Sequence, residues 1–468
     1  MRRTCDIESS TPGFAYPSKH QRRRGTIAKT RREGTIRAMT RFLYNLLFPL
    51  VLLAFLPGYI IKMLRRGNYR NKFGQRLGFY DRATRARLTE NRRIWMHAVS
   101  VGEVMIALKL SAKMKRRDPN LHLALTTTTT TGFALASRRA PDWIEVLYTP
   151  LDFWPIMRRA FAIIRPLQIV LVEAEVWPNM TAFAHGRRIP LALVNARLSP
   201  RSEARFRRFR RLIVPYFRRL DLVCVQEEKD VTRWKSLGVP NDRIRVVGSI
   251  KFDPEEAESN PETPHTVLRT LGIDLHRPVL LAGSTHQGEE EILGRIFLAL
   301  RRDFQDLFLI IAPRHIERLR EIEADLRTLG LTVARRSQSN ASAPVDCLLL
   351  NTVGELRDWY AVATVVFVGK SLTARGGQNP VEAIVANRPV VFGPHMENFA
   401  ALSEALIASA GALQLPNERA LQIALSTLLR NSAERERLVA AARRVLDHHR
   451  GATERTAVLL QNLAPSLP

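Results

Sequence analysis

From Ile94 onward the chain repeats one pattern, and that pattern restricts its fold more than any other feature. Short, largely apolar runs alternate with stretches of helical spacing. The runs 94–99, 121–126, 145–148, 168–173, 191–194, 222–226 and 244–247 read as strands. Helix-like segments between them predict a parallel sheet covered on both faces. Residues 251–266, "KFDPEEAESNPETPHT", break the pattern with Pro, Glu, Ser and Asn and read as a linker. The alternation then restarts at 278–283, 307–312, 330–334, 346–350, 364–368 and 389–392, before charged, alanine-rich helices to about 461. At 468 residues, two domains are expected. The expectation is an α/β chain with two doubly wound domains facing a cleft. Ligands in such sheets bind outside the carboxyl ends of the strands.

The first part of the chain is of another kind. Residues 42–61, "FLYNLLFPLVLLAFLPGYII", carry no charge and are just long enough to span a bilayer. Arg31, Arg32, Arg37 and Arg41 precede them, and Lys62, Arg65, Arg66 and Arg70 follow. No small-residue cleavage site is present. The expectation over 39–66 is an uncleaved membrane anchor, spanning or lying in the interface. The alternative is a buried core helix, and Pro49 and Pro57 interrupt any straight span. Residues 1–38 are Arg-rich and read as disordered, or as a segment ahead of a natural start at Met39. A formal charge of +28 draws polyanions: nucleic acid, anionic lipid or phosphorylated small molecules. Cys5, Cys224 and Cys347 form no CxxC pair and no zinc spacing, which fits a reducing compartment.

The polar motifs fall at the predicted strand ends. In "SVGEVM", Glu103 is a lone carboxylate opening a helix that runs to about Arg117. It is either stabilised there by the helix dipole or poised to take a proton, with Gly102 permitting close approach of a ligand. "TTTTTTGF" (126–133) ends the next strand with a row of hydroxyls. In "LVEAEVWPNM" (171–180), Glu173 and Glu175 share a side if the strand stays extended. Either Glu175 caps the following helix, or one of the two carboxylates holds a sugar hydroxyl or the catalytic loop. "VNARLSPRSEARFRRFRRL" (194–212) interleaves arginine with phenylalanine, as a nucleic-acid surface, a helix on anionic lipid or a solvated basic face would.

In the second half, Ser284 and Thr285 of "AGSTHQGEEE" lie in a small polar loop suited to an anion. Arg314 and His315 of "IIAPRHIERL" end another strand, and a guanidinium there suits phosphate. Gly376 and Gly377 let the backbone approach a ligand, while Asn379 and Pro380 begin a helix. Glu382, in its first turn, is placed to accept hydrogen bonds from ribose hydroxyls. The chain has no GxxxxGK[ST], HExxH, D-x-D or GxSxG, so P-loop NTPase, zinc protease and α/β-hydrolase readings lack support.

Taken in order, "HAVSVGEV", "TTTTTTG", "EAEVWPN", "NARLSPRS", "GSTHQGEEE", "APRHIER", "NTVGEL" and "GGQNPVEA…GPHMENF" resemble one family. It is the 3-deoxy-D-manno-octulosonic acid (Kdo) transferases of lipopolysaccharide synthesis, and the likeness covers roughly Phe42 to Ala400. The resemblance implies a membrane-associated, inverting glycosyltransferase of the GT-B type. Its anchor would be followed by a Rossmann-like acceptor domain at 67–250 and, after the linker, a CMP-sugar domain at 267–468. Such enzymes move Kdo from CMP-Kdo to a phosphorylated lipid A precursor, lipid IVA, without metal or cofactor. Glu103 would be the catalytic base. Ser284, Thr285, Arg314, His315, Gly376, Gly377, Gln378, Asn379 and Glu382 would bind CMP. Ser100, Gly102, Glu173, Glu175, Asn195 and Arg197 would support the acceptor side.

Three positions depart from the family's habit: Gln378 stands for a histidine, Asn351 for an aspartate and Lys370 for a glycine. Gln378 offers hydrogen bonds but carries no charge. The expected partners are the donor, the lipid acceptor and anionic lipid at the inner membrane. The catalytic domains would lie on the cytoplasmic side, and no nucleic acid is expected. The alternatives are a related GT-B enzyme with another nucleotide sugar, or an inactive basic homologue that binds membranes or nucleic acid.

Overall fold

A computed structural model describes residues 39–54, 58, 72–173, 176–198, 200–254, 260, 262–338, 344–352 and 354–463. Glu175, residues 1–38 and most of 55–71 lie outside that description. The chain divides into two compact units, residues 1–246 with 457–468, and residues 247–456.

The first unit is built on seven strands: β1 (Ile94–Ala98), β2 (Leu123–Thr127), β3 (Ile144–Tyr148), β4 (Gln168–Val172), β5 (Leu191–Ala196), β6 (Leu222–Val225) and β7 (Ile244–Val246). Their order is β3-β2-β1-β4-β5-β6-β7, with every neighbouring pair parallel. All residues of β1, β2, β4, β5 and β6 are buried. That is the double-sided burial their apolar runs call for. The order reverses between β1 and β4, which makes their carboxyl ends the switch point of the sheet.

The second unit repeats the plan with β8 (Val279–Thr285), β9 (Phe308–Pro313), β10 (Val333–Arg335), β11 (Cys347–Leu349), β12 (Val365–Val368), β13 (Val390–Phe392) and β14 (Leu413–Gln414). The order is β10-β11-β9-β8-β12-β13-β14, again all parallel, and the switch lies between β8 and β12. The apolar runs foretell thirteen of these strands to within a few residues. Strand β14, two residues long, carries no such run. A helix begins at Glu262, inside the segment that reads as linker.

Most helices behave as amphipathic covers. Helix Val101–Arg117 buries Val104, Ala107, Leu110, Ser111 and Met114, one stripe at helical spacing. Lys115, Arg116 and Arg117 in its last turn suit the negative end of its dipole.

The helix at residues 39–54 reverses this arrangement. Its half-buried stripe is Arg41, Tyr44, Asn45 and Phe48, three of them polar, while Phe42, Leu46, Leu50 and Leu53 are exposed. The polar stripe is stitched to the unit: Asn45 and Asn179 exchange amide hydrogen bonds at 3.1 and 3.0 Å, and Arg41 Nε donates to Asn179 Oδ1 at 2.9 Å. Asn179 in turn is held by Asp152, whose carboxylate accepts from the Asn179 and Met180 N–H groups at 2.9 and 2.8 Å. Burial pushes the Asp152 carboxyl up to about 6 despite these donors, and the Tyr44 hydroxyl bonds to it. Phe48 stacks on Phe153, with centroids 5.4 Å apart. Among the described residues, no helix is long and apolar enough to cross a membrane.

Candidate active site

The site residues of the first unit sit where β1, β4 and β5 end. Ser100 is the N-cap of helix Val101–Arg117, and its Oγ donates to Glu103 Oε1 at 2.9 Å. The Val99 N–H donates to Glu103 Oε2 at 2.7 Å. The pattern S-x-x-E in "SVGE" is that of a capping box, here with the carboxylate reaching the N–H one residue before the N-cap, and the two bonds fix its plane. Glu103 is 8% exposed, yet Val101 and Met105 beside it are open to solvent. A Cβ on Gly102 would meet nothing closer than Ser100 Oγ at 3.9 Å. Among the described residues, nothing at that position requires glycine.

Glu173 and Asn195 follow β4 and end β5 with left-handed backbone, φ 67° and 51°. Residues with side chains rarely adopt that conformation, and it gathers at functional sites. The Glu173 N–H bonds to Val194 O at 3.0 Å, and the Asn195 carbonyl accepts from Gln226 Nε2 at 3.1 Å. Arg197 is exposed just beyond.

Beneath this rim lies a histidine that the motif contains but the sequence reading passes over. His97 is fully buried, its Nδ1 3.1 Å from Thr126 Oγ1 and 3.3 Å from Thr149 Oγ1. Among the described residues, its Nε2 has no hydrogen-bond partner. Burial pushes its pKa down to about 4, so the ring is neutral. The threonine row is mostly structural: Thr126 also accepts from Trp95 Nε1 at 2.9 Å, and Thr129 caps the next helix through the Gly132 N–H at 3.0 Å.

In the second unit the predicted donor residues come together around the ends of β8, β9 and β12. Thr285 lies opposite Pro313 in the register, and the Arg314 N–H bonds to Thr285 O at 3.0 Å. The Gly369 N–H bonds to Gly283 O at 2.9 Å, while the N–H groups of Gly377 and Gln378 fold back onto Lys370 O and Gly369 O at 2.8 and 3.1 Å. A Cβ on Gly377, at φ 67°, would lie 2.4 Å from Met396 Sδ, so only glycine fits that crossing. Asn379 Oδ1 accepts from the Val381 N–H at 3.1 Å and starts the helix Val381–Val385. Glu382 is in that helix's first turn, close enough to Tyr360 to raise its pKa further above the ordinary range.

The hydroxyl of Thr285 is committed inward, donating to buried Glu290 at 2.9 Å, and Glu290 also pairs with Arg318 at 3.2 Å. What faces the loop instead is positive. His286 and His315 meet edge to face at 5.1 Å. Burial, then the charges of Lys370, His315, Arg318 and Arg314, push the His286 pKa down. Lys370 stands at φ 56°, another strained strand-end residue, and Ser284 at φ 58°.

Glu289, missed by the sequence reading, locks this region. Its carboxylate accepts from the N–H groups of His286, Lys370, Ser371 and Leu372 at 2.8, 2.7, 2.9 and 2.9 Å. Asn351, one of the three departures, lies apart from this group and exchanges hydrogen bonds with Ser337 at 2.9 and 2.6 Å.

A putative UDP-N-acetylglucosamine 2-epimerase from Listeria monocytogenes shares the fold with a TM-score of 0.52 at 13% identity, over 80% of this chain and 97% of that one. Two doubly wound parallel sheets with polar strand-end loops define the class as α/β of the GT-B glycosyltransferase type. Residues 71–254 match the family described as 3-Deoxy-D-manno-octulosonic-acid transferase (kdotransferase). A 3-deoxy-D-manno-octulosonic acid transferase of Haemophilus influenzae is 32% identical over 431 residues, 90% of this chain and 98% of that one. One from Bordetella pertussis is 36% identical over 381 residues, 79% of this chain and 87% of that one. The chain belongs to the 3-deoxy-D-manno-octulosonic acid transferase family and is a glycosyltransferase.

Proposed function

We propose that this enzyme transfers Kdo from CMP-Kdo to a phosphorylated lipid A precursor, lipid IVA, with inversion at the anomeric carbon. The observation that carries the reading is the group of cations at the strand ends of the second unit. Arg314, Arg318 and Lys370 gather beside the His286 and His315 rings, where the leaving group of a CMP-sugar would sit. A departing nucleoside monophosphate gains charge as its bond to the sugar breaks, and fixed cations lower that barrier. They fill the role that a divalent ion has in other transferases, so the reaction is read as metal-independent.

Glu103 is the base in this mechanism. The acceptor hydroxyl attacks the anomeric carbon on the face opposite CMP, a C–O bond forms, and the bond to the phosphate oxygen breaks. The hydroxyl proton passes to the Glu103 carboxylate, and the electron pair leaves with CMP. The bonds from Val99 and Ser100 hold that carboxylate in place beforehand, which is what a base needs to act without reorganising.

The lipid acceptor fits the helix at residues 39–54. A helix that turns polar residues inward and leucines outward has its favourable environment in the interface of a membrane, and arginine-rich flanks suit anionic headgroups. The reading is an enzyme lying on the cytoplasmic face of the inner membrane. Incubation of the full chain with CMP-Kdo and lipid IVA in detergent is the test, with CMP release as the readout. Absence of release with the wild-type enzyme sinks the proposal.

A further inference from the structure

One feature of the first unit has no part in the chemistry above. A groove of about 480 Å³ runs between the helix at residues 39–54, the start of helix Pro178–Gly186 and the helices Pro200–Arg208 and Arg210–Phe217. Its volume falls in the range of small-molecule sites. Leu43, Leu47, Trp177, Phe206, Phe209 and Leu212 give it apolar walls. At its mouth Leu47, Phe209 and Leu212 are 44%, 47% and 50% exposed, so the walls are not closed against each other.

Two observations point to the occupant. Leu43 and Leu47 line the groove and also belong to the outward apolar face of the helix, so the groove continues the surface that suits a membrane. Arg205 lines it too, a guanidinium suited to phosphate. Apolar walls continuous with a membrane-facing surface, with a cation beside them, describe an alkyl chain beneath an anionic head.

We propose that this groove takes one fatty acyl chain of the acceptor lipid, with Arg205 against that lipid's phosphate. The proposal rests on the lipid-acceptor reading above and gives it a subsite. The site sets which acceptors are used: each methylene buried in an apolar site is worth about a fourfold change in affinity.

The test uses the full-length enzyme and two exposed wall residues, Leu47→Ser and Phe209→Ser, whose truncation leaves the buried core intact. KM for the acylated acceptor should rise about tenfold in each. The values for CMP-Kdo, and for the deacylated acceptor, should stay as in the wild type. Equal losses on acylated and deacylated acceptors, or no loss on either, overturn the proposal. So does a loss of vesicle binding that leaves the preference for the acylated acceptor unchanged, since the groove is then only a membrane contact.

Binding is read separately with a monomeric, bromine-labelled dodecyl phosphate. It should quench the Trp177 component of fluorescence saturably, taken as wild type minus Trp177→Phe, and more weakly in Phe209→Ser. Unsaturable quenching, equal in both proteins, overturns the groove. If wild type binds this probe yet releases no CMP with any acceptor, the transferase reading fails while the groove stands.

Discussion

Glu103 and Glu289 are two answers to the same local design. Each stands in the first turn of the helix that follows the first strand of its unit, and each is buried. Glu289 is fully enclosed and accepts four backbone N–H groups, three of them from residues 370–372. Its carboxylate ties the end of β8 to the end of β12 across more than eighty residues of chain. Glu103 bonds to Val99 and Ser100, within four residues of itself, beside an open glycine and two exposed side chains. A long-range clamp and a locally fixed, approachable carboxylate thus arise from the same residue type at the same topological position. Burial alone does not tell them apart; what marks Glu289 is that three of its donors come from residues 370–372.

The sharpest way to break this contrast is to replace each carboxylate by its amide. In Glu103→Gln the amide still completes a capping box, since glutamine serves at that position, so thermal stability should change by less than about 1 kcal/mol. It takes no proton, and turnover should fall by about 10²- to 10⁴-fold with CMP binding kept. CMP release and calorimetry on one preparation check both halves, and equal turnover in the variant removes the base assignment. Glu289→Gln should do the reverse. Its NH2 group faces backbone donors and leaves them unsatisfied, at a cost of about 2–4 kcal/mol. The loop that it anchors carries Lys370, one of the cations proposed to hold the donor, so KM for CMP-Kdo should rise while kcat changes less. Wild-type stability in this variant refutes the clamp.

The sequence showed the sheets well and the clamp not at all. Parallel strands buried on both faces leave long apolar runs, so nearly every strand was visible; β14 was missed because two residues make no run. Glu103 was visible as a lone carboxylate in a first helical turn, while Ser100 entered only through the family resemblance. Glu289 was not, because its partners come from residues 370–372 and no short motif records a contact at that distance. His97 was hidden for the opposite reason. It sits inside an apolar strand, where a lone histidine looks like any core residue until its unpartnered Nε2 is seen. The helix at 39–54 showed its apolarity in sequence, but which residues face inward depends on Asn179 and Asp152 far along the chain.

Acid should act in opposite directions on two buried groups of the first unit. His97 titrates near 4 in the fold against about 6.5 in the unfolded chain. The unfolded chain therefore takes up the proton first, and stability is lost as pH falls through that window. Asp152 has the opposite sign. Its folded pKa, about 6, exceeds the ordinary carboxyl value, so the folded state takes up the proton first and gains stability as pH falls from 6 toward 4. Each is worth about 3 kcal/mol across its window, and they largely cancel. Asp152→Asn removes the gain and leaves the loss. Its unfolding temperature should drop more steeply between pH 6.5 and 4 than that of the wild type, and parallel curves would refute the pairing.

Lys370 gives the smallest and most diagnostic effect. Its backbone is bonded to the Glu289 clamp, while its left-handed φ of 56° costs a lysine about 1 kcal/mol relative to glycine. Glycine removes that strain but makes the unfolded chain more flexible, an offset of about 0.5–1 kcal/mol. Lys370→Gly should therefore leave stability unchanged or slightly higher. The same change deletes one of the charges around His286, and Gln378 nearby cannot replace it. KM for CMP-Kdo should rise several-fold, with more effect at low salt than at high. The His286 pKa should move up as a repelling charge is lost, which NMR titration would follow. A stability loss with unchanged KM would make Lys370 part of the clamp instead of part of the donor site.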